Sequence, residues 1–156
     1  MSRTALPQLD LDRQLCFPLY AASRAVVRAY GPLLDQVGLT YPQYLAMLAL
    51  WENGDEPMTV GELGRRLRLD TGTLTPLLKR LEGLGHLTRR RDVDDERRVL
   101  LAVSDSGWAL RERVAHVPSD LFASTEMSTA DAAELRRLLN DLLERLDSPQ
   151  DSRSRI

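Results

Sequence analysis

Two sets of side chains in this sequence are equipped to react or to bind. The first is a single cysteine, Cys16, set between Leu15 and Phe17. One thiol cannot close an internal disulfide, so Cys16 is an inert buried thiol, a partner in an intermolecular bond, or a reactive thiol. Composition favours the inert reading, because free cysteine is among the most buried residue types. Reactivity needs a thiolate, hence a nearby cation or hydrogen-bond donors. Arg13, three residues before, and Tyr20, four residues after, share one side of a helix with it. His86 and His116 stand alone, with no second ligand at metal-binding spacing, so no metal site is expected. No glycine-rich phosphate loop and no G-x-S-x-G motif occurs, so neither an enzyme nor a cofactor is expected.

The second set is polar and cationic. Thr71, Thr73, Thr75, Lys79 and Arg80 are the non-core positions of one short helix whose other positions are leucines. Hydroxyls and cations so placed can bind phosphates and base edges. The plainer reading is that the threonines cap the helix and Lys79-Arg80 form a solvated face. Close by stand Arg89, Arg90, Arg91, Arg97 and Arg98, whose guanidinium groups can follow phosphates or enter a narrow minor groove. Asp92, Asp94, Asp95 and Glu96 dilute that patch or pair with it. The formal net charge of -2 gives nucleic-acid binding no bulk support, so the case rests on where the arginines sit.

Those residues need elements to hold them. Leu11, Leu15, Leu19, Ala22, Val26 and Tyr30 recur at spacings of three and four, predicting an amphipathic helix over 9–30 that Gly31-Pro32 interrupts, with a short helical turn over 32–36. Thr40 caps a helix over 42–51 that is apolar on nearly all sides, hence buried. Thr59 and Glu62 form a capping box opening a short helix that carries Leu63 and Leu67 inward. After the turn Asp70 to Thr73, a helix runs from about Thr73 to Leu84, with Pro76 assigned to its first turn, where a missing N–H costs nothing. Beyond Gly85 the period becomes two: 87–91 and 98–103 predict a β-hairpin. Ser104 or Asp105 caps a helix running towards Val117-Pro118, and Ser128 or Thr129 opens a last, leucine-striped one ending near Leu146. The resulting fold class is mainly α with a small β-hairpin wing, a winged helix-turn-helix.

The chain of 156 residues fits one folded unit, with helices over about 9–36 and 104–147 flanking a winged module over about 40–103. Residues 148–156 are expected to be a disordered tail. The flanking helices look too apolar to stand alone, so pairing with a second copy is expected, as a symmetric homodimer. No run approaches the ~20 apolar residues of a membrane span, and MSRTALPQLD lacks a signal-peptide core, so no membrane association and a cytoplasmic location are expected.

Four runs carry a resemblance: QLCFPLYAASR (Gln14 to Arg24), LTYPQYLAMLALWE (Leu39 to Glu52), LDTGTLTPLLKRLE (Leu69 to Glu82) and DDERR (Asp94 to Arg98). In this order they resemble the MarR-type regulators, and among them the organic hydroperoxide resistance regulators (OhrR). The resemblance implies a homodimer joined through N- and C-terminal helices, with two winged modules on a palindromic double-stranded DNA operator. It implies that Cys16 is the sensor of organic hydroperoxide and reverses the inert reading. It further implies that tyrosines at Tyr30 and Tyr41 hydrogen-bond the sulfur, one of them from the other subunit, with Tyr20 and Phe17 close by. With one cysteine only, an oxidised Cys16 would pair with a small cellular thiol or be over-oxidised. Two alternatives remain: a regulator of the same fold that binds a small phenolic ligand while Cys16 is inert, and a thiol peroxidase using Cys16.

Overall fold

The computed structural model describes residues 6–147; the expected tail over 148–156 lies outside them. Two short 3-10 turns, Pro7–Leu9 and Leu11–Arg13, precede helix α1, Cys16–Asp35. The start and the end of α1 both differ from the sequence expectation, and a proline explains the first. A helix begun at Leu9 would hold Pro18 in its interior; begun at Cys16, Pro18 falls in the first turn, where its missing N–H is harmless. At the other end the helix runs through Pro32. Gly31 has no Cβ to strike the proline ring, and Leu34, fully buried, anchors the last turn. Leu11 and Leu15 therefore lie outside the helix and are exposed, not part of a buried stripe.

Helix α2, Tyr41–Glu52, starts where Thr40 N–H donates to Gln43 Oε1 at 2.9 Å, and it buries most of its side chains as its composition predicts, although Leu48 is exposed. A strand that no periodicity could announce follows: β1 is only Met58–Thr59. Helix α3, Val60–Leu67, opens with the predicted capping box, Glu62 N–H donating to Thr59 Oγ1 at 3.1 Å and Thr59 N–H to Glu62 Oε2 at 2.7 Å. Helix α4 spans Thr71–Gly83. Asp70 is its N-cap, accepting from Thr73 N–H at 2.8 Å, so the helix begins two residues earlier than expected. Pro76 is consequently in the second turn, not the first, and leaves the Gly72 carbonyl without its usual i+4 donor. Gly85, at φ +79°, turns the chain out of α4 through a left-handed conformation that side chains disfavour.

Strands β2, Leu87–Arg91, and β3, Val99–Val103, form the predicted hairpin, antiparallel with Leu87 opposite Val103 and Arg91 opposite Val99. The sheet order is β1-β3-β2, with Met58 opposite Leu101. Ser104 caps α5, Asp105–Val114. Helix α6, Val117–Ser124, then restarts with Pro118 in its first turn, and Ser128 precedes α7, Thr129–Asp147.

The chain divides into two compact units, one ending at Val117 and the other beginning at Pro118. The first holds a continuous core in which Leu34, Tyr44, Met47, Leu63, Leu78 and Leu101 are among the fully enclosed side chains. In the second, α7 buries no residue, and Arg137 bridges Glu134 and Asp141 along its surface at 2.7 and 2.8 Å.

Candidate nucleic-acid interface and thiol site

Helix α4 packs Leu74, Leu77, Leu78 and Leu81 inward, so Thr71, Thr73, Thr75, Lys79 and Arg80 are exposed, as predicted. Their roles differ. Thr73 is absorbed by the cap, donating both its N–H and its hydroxyl to Asp70, whose carboxyl these bonds hold below its ordinary range. The Thr75 hydroxyl donates to the Thr71 carbonyl at 2.8 Å and keeps its lone pairs outward. Thr71, Thr75 and Lys79 recur every four residues and form one ridge.

The wing arginines also divide. Arg89 is half-buried and grips Glu82, at the end of α4, with Nε at 2.8 Å and Nη2 at 2.7 Å. That fork holds the Glu82 carboxyl below its usual value and ties the base of the wing to α4. Arg91 donates to the Glu96 carbonyl across the hairpin tip at 2.9 Å. Arg98 faces the largely buried Asp92 at 3.5 Å, and Asp92 also accepts from Asp94 N–H at 3.1 Å, so that carboxylate organises the turn. Arg97 is forked on Asp95 at 3.0 and 3.3 Å while its side chain stays 91% exposed, leaving it the most prominent cation of the tip. Arg90 is exposed on β2. The acids therefore do pair with the arginines, and by pairing they fix where the guanidinium groups point.

Between the Thr71–Thr75 ridge, the wing and the start of α3 runs an open groove of about 650 Å³. Arg89, Arg97 and Arg98 reach it from the wing, and Arg65 from α3. Arg65 is not legible as a site residue in the sequence, because α3 reads there as a capped amphipathic segment. Thr73, Lys79, Arg80, Arg90 and Arg91 do not line the groove.

Cys16 is the first residue of α1 and is exposed. Phe17 and Tyr20 are exposed beside it, Arg24 donates to the Tyr20 hydroxyl at 3.1 Å, and Arg24 lies 5.5 Å from the Tyr20 ring centroid. Tyr30 and Tyr41 are brought together elsewhere, with ring centroids 4.6 Å apart, and Tyr44, which its sequence setting marks only as core, joins them 5.7 Å from Tyr30. Burial raises the pKa of Tyr30 and Tyr41, and Tyr44 is pushed up to about 12 by burial and by its two neighbours. Cys16 and Tyr30 lie fourteen residues apart on one helix, a distance of about 21 Å. Within one chain the tyrosine cluster therefore does not reach the thiol. Among the described residues no group of histidine, cysteine and carboxylate side chains could hold a metal ion, and no helix is long and apolar enough to cross a membrane.

Comparison with known proteins fits this arrangement. The family described as transcriptional regulator SarA/Rot matches residues 28–114. The organic hydroperoxide resistance transcriptional regulator of Bacillus subtilis is 46% identical over 138 residues, covering 88% of this chain and 92% of that protein. The HTH-type transcriptional regulator TtmR of Methylorubrum extorquens is 50% identical over 133 residues, covering 85% of this chain and 66% of the longer relative. Among solved structures, reduced AbfR bound to DNA superposes with a TM-score of 0.74 at 36% identity, covering 90% of this chain and 96% of that one; AbfR is a Staphylococcus epidermidis protein. These relatives are transcriptional regulators rather than enzymes. The chain belongs to the MarR/SarA-type winged-helix family of DNA-binding transcriptional regulators.

Proposed function

We propose that this regulator is a repressor which binds a palindromic operator as a homodimer and releases it when organic hydroperoxide oxidises Cys16. The observation that carries the reading is the only thiol of the chain, exposed at the first position of α1, in a protein 46% identical to a regulator named for organic hydroperoxide resistance. The Cys16 thiolate attacks the peroxide O–O bond: an S–O bond forms, the O–O bond breaks, and the alkoxide leaves and takes a proton from water. Sulfur is oxidised to sulfenic acid and the peroxide is reduced to an alcohol. With no second cysteine in the chain, a small cellular thiol resolves the sulfenic acid, forming a mixed disulfide and releasing water. Phe17, the residue after the thiol, is exposed and supplies apolar surface that suits an organic rather than an inorganic peroxide.

The same-chain separation of thiol and tyrosines bears on the assembly. Hydroxyl groups of Tyr30 and Tyr41 can meet Cys16 only when they belong to a second copy, so both tyrosines, not one, cross the dimer in this reading. Exposed apolar side chains on α1 and α7, among them Val26, Val27, Leu135 and Leu138, supply surface for that pairing. Oxidation that breaks the cross-subunit bonds shifts the spacing of the two α4 helices, and an operator demanding fixed half-site separation is released.

The test measures operator binding at fixed salt before and after one equivalent of cumene hydroperoxide, with reductant added back, in the parent and in Cys16→Ser. Binding by both proteins, with release in the parent alone, is the expected result. Release that persists in Cys16→Ser overturns the sensor role and favours a ligand-responsive regulator; repeated consumption of peroxide in excess of protein favours a peroxidase.

A further inference from the structure

We infer that Arg65 of α3, which lies outside both the recognition helix and the wing, binds a DNA phosphate and closes the groove from the side opposite the wing. The inference rests on the DNA-binding reading of that groove and extends it to a third element. Gly61, Glu62 and Arg65 present one face of α3 to the groove that Arg98 also lines. Glu62 lines the same groove, and its carboxylate feels both the Arg65 and the Arg98 guanidinium, so both cations stand near it. That carboxylate is already committed, accepting from the backbone N–H and the hydroxyl of Thr59 at 2.7 Å each.

The cations of the groove are not equally available. Arg89 is held by Glu82 at 2.7 Å, Arg97 by Asp95 at 3.0 Å and Arg98 faces Asp92 at 3.5 Å. Among the described residues Arg65 has no carboxylate at ion-pair distance, and it is exposed at the rim of a cavity that also holds the Thr71 and Thr75 hydroxyls. A phosphodiester laid along that ridge passes between Arg65 and the wing. Its neighbour supplies an internal contrast. Arg66, one position on and about 100° round the helix, points away from the groove and is bound to Glu52 at 2.6 Å.

Fluorescence anisotropy of a labelled random-sequence duplex across about 50 to 200 mM KCl separates the two arginines. Removing one phosphate-binding cation lowers the slope of log K against log salt by about 0.9. Arg65→Ala should show that change, so that the affinity ratio of parent to variant shrinks roughly threefold over this salt range, while Arg65→Lys keeps the slope. Arg66→Ala removes an equal charge and should leave the slope where it was. An unchanged slope in Arg65→Ala, or an equal fall in Arg66→Ala, overturns the assignment. A parent that binds the duplex without salt dependence overturns the DNA reading of the groove itself, an outcome distinct from failure of Arg65 alone.

Discussion

The winged unit encloses its own core. Helix α2 buries Tyr44, Met47, Leu50 and Trp51, α4 turns four leucines inward, and Leu101 of β3 and Leu110 of α5 are shut off from solvent. At the thiol end of α1 the reverse holds: Leu15, Phe17 and Tyr20 are exposed, α1 buries only Leu34, and α7 buries nothing. The reading surface is thus complete within one chain, down to the ion pairs that aim its arginines, whereas the surroundings of the thiol are not. DNA binding can accordingly be argued from single-chain geometry, while the activation proposed for Cys16 calls on a second copy.

The largest effect is expected where the first region is most tightly built. A Cβ on Gly107 would strike the His86 carbonyl oxygen and sit 2.7 Å from Val103 Cγ1, and the Gly107 carbonyl accepts from Trp51 Nε1 at 3.0 Å. Backbone cannot yield as a flexible side chain does, so Gly107→Ala should cost about 3 kcal/mol, the upper end of ordinary overpacking. That is a large part of the roughly 5–15 kcal/mol of a typical domain. Urea unfolding measures it, and a loss below about 1 kcal/mol would show that the winged unit is less rigidly closed than its packing implies.

On the other region the expectation is inverted. Leu138 on α7 is half exposed, so Leu138→Asp should leave the unfolding of the winged unit unchanged while abolishing dimerisation. Operator affinity should then fall by about 100-fold, because the second half-site is no longer engaged by a tethered partner. Sedimentation and operator titration check the two parts. A variant that stays dimeric removes α7 from the interface, and one that unfolds the winged unit erases the distinction between the regions.

Much of the first region is legible in the sequence. Apolar spacing places the buried α2, the leucine face of α4 and the two wing strands, because each side chain there answers to its own chain. The features it does not reveal share a cause. Pro18 sets the start of α1, and α1 runs on through Pro32, by backbone bonds that apolar periodicity does not report. β1 is two residues long and exists only because Met58 and Thr59 meet Leu101 and Leu100. Gly107 and Arg65 matter through neighbours far away in sequence or across a cavity. The roles of Thr73 and Arg89 are obscured likewise, since cap and strut depend on Asp70 and Glu82 being within reach. Around Cys16 even the structure of one chain leaves Tyr30 and Tyr41, the partners expected for the thiol, far from it, and there only the family resemblance joins them.

The smallest effect is expected at the edge of the groove, where the winged unit is closed by a cap rather than by packing. Thr59 is nearly buried and its side chain both accepts from Glu62 N–H and donates to the Glu62 carboxylate. Thr59→Ala should destabilise the winged unit by about 1 kcal/mol, as expected for a lost N-cap. The bonds from Thr59 hold the Glu62 carboxyl below its ordinary value of 4.5. A group lowered in this way stabilises the fold above its unfolded pKa, and that contribution is lost as pH falls through the still lower folded value. The parent should therefore lose part of its advantage over Thr59→Ala as the solution is acidified below about pH 4.5, and keep it in full near neutrality. Thermal melts of the two proteins across that range read the difference directly. Parallel pH profiles would mean that the Thr59 backbone N–H, which Thr59→Ala keeps, is what holds the Glu62 carboxyl low.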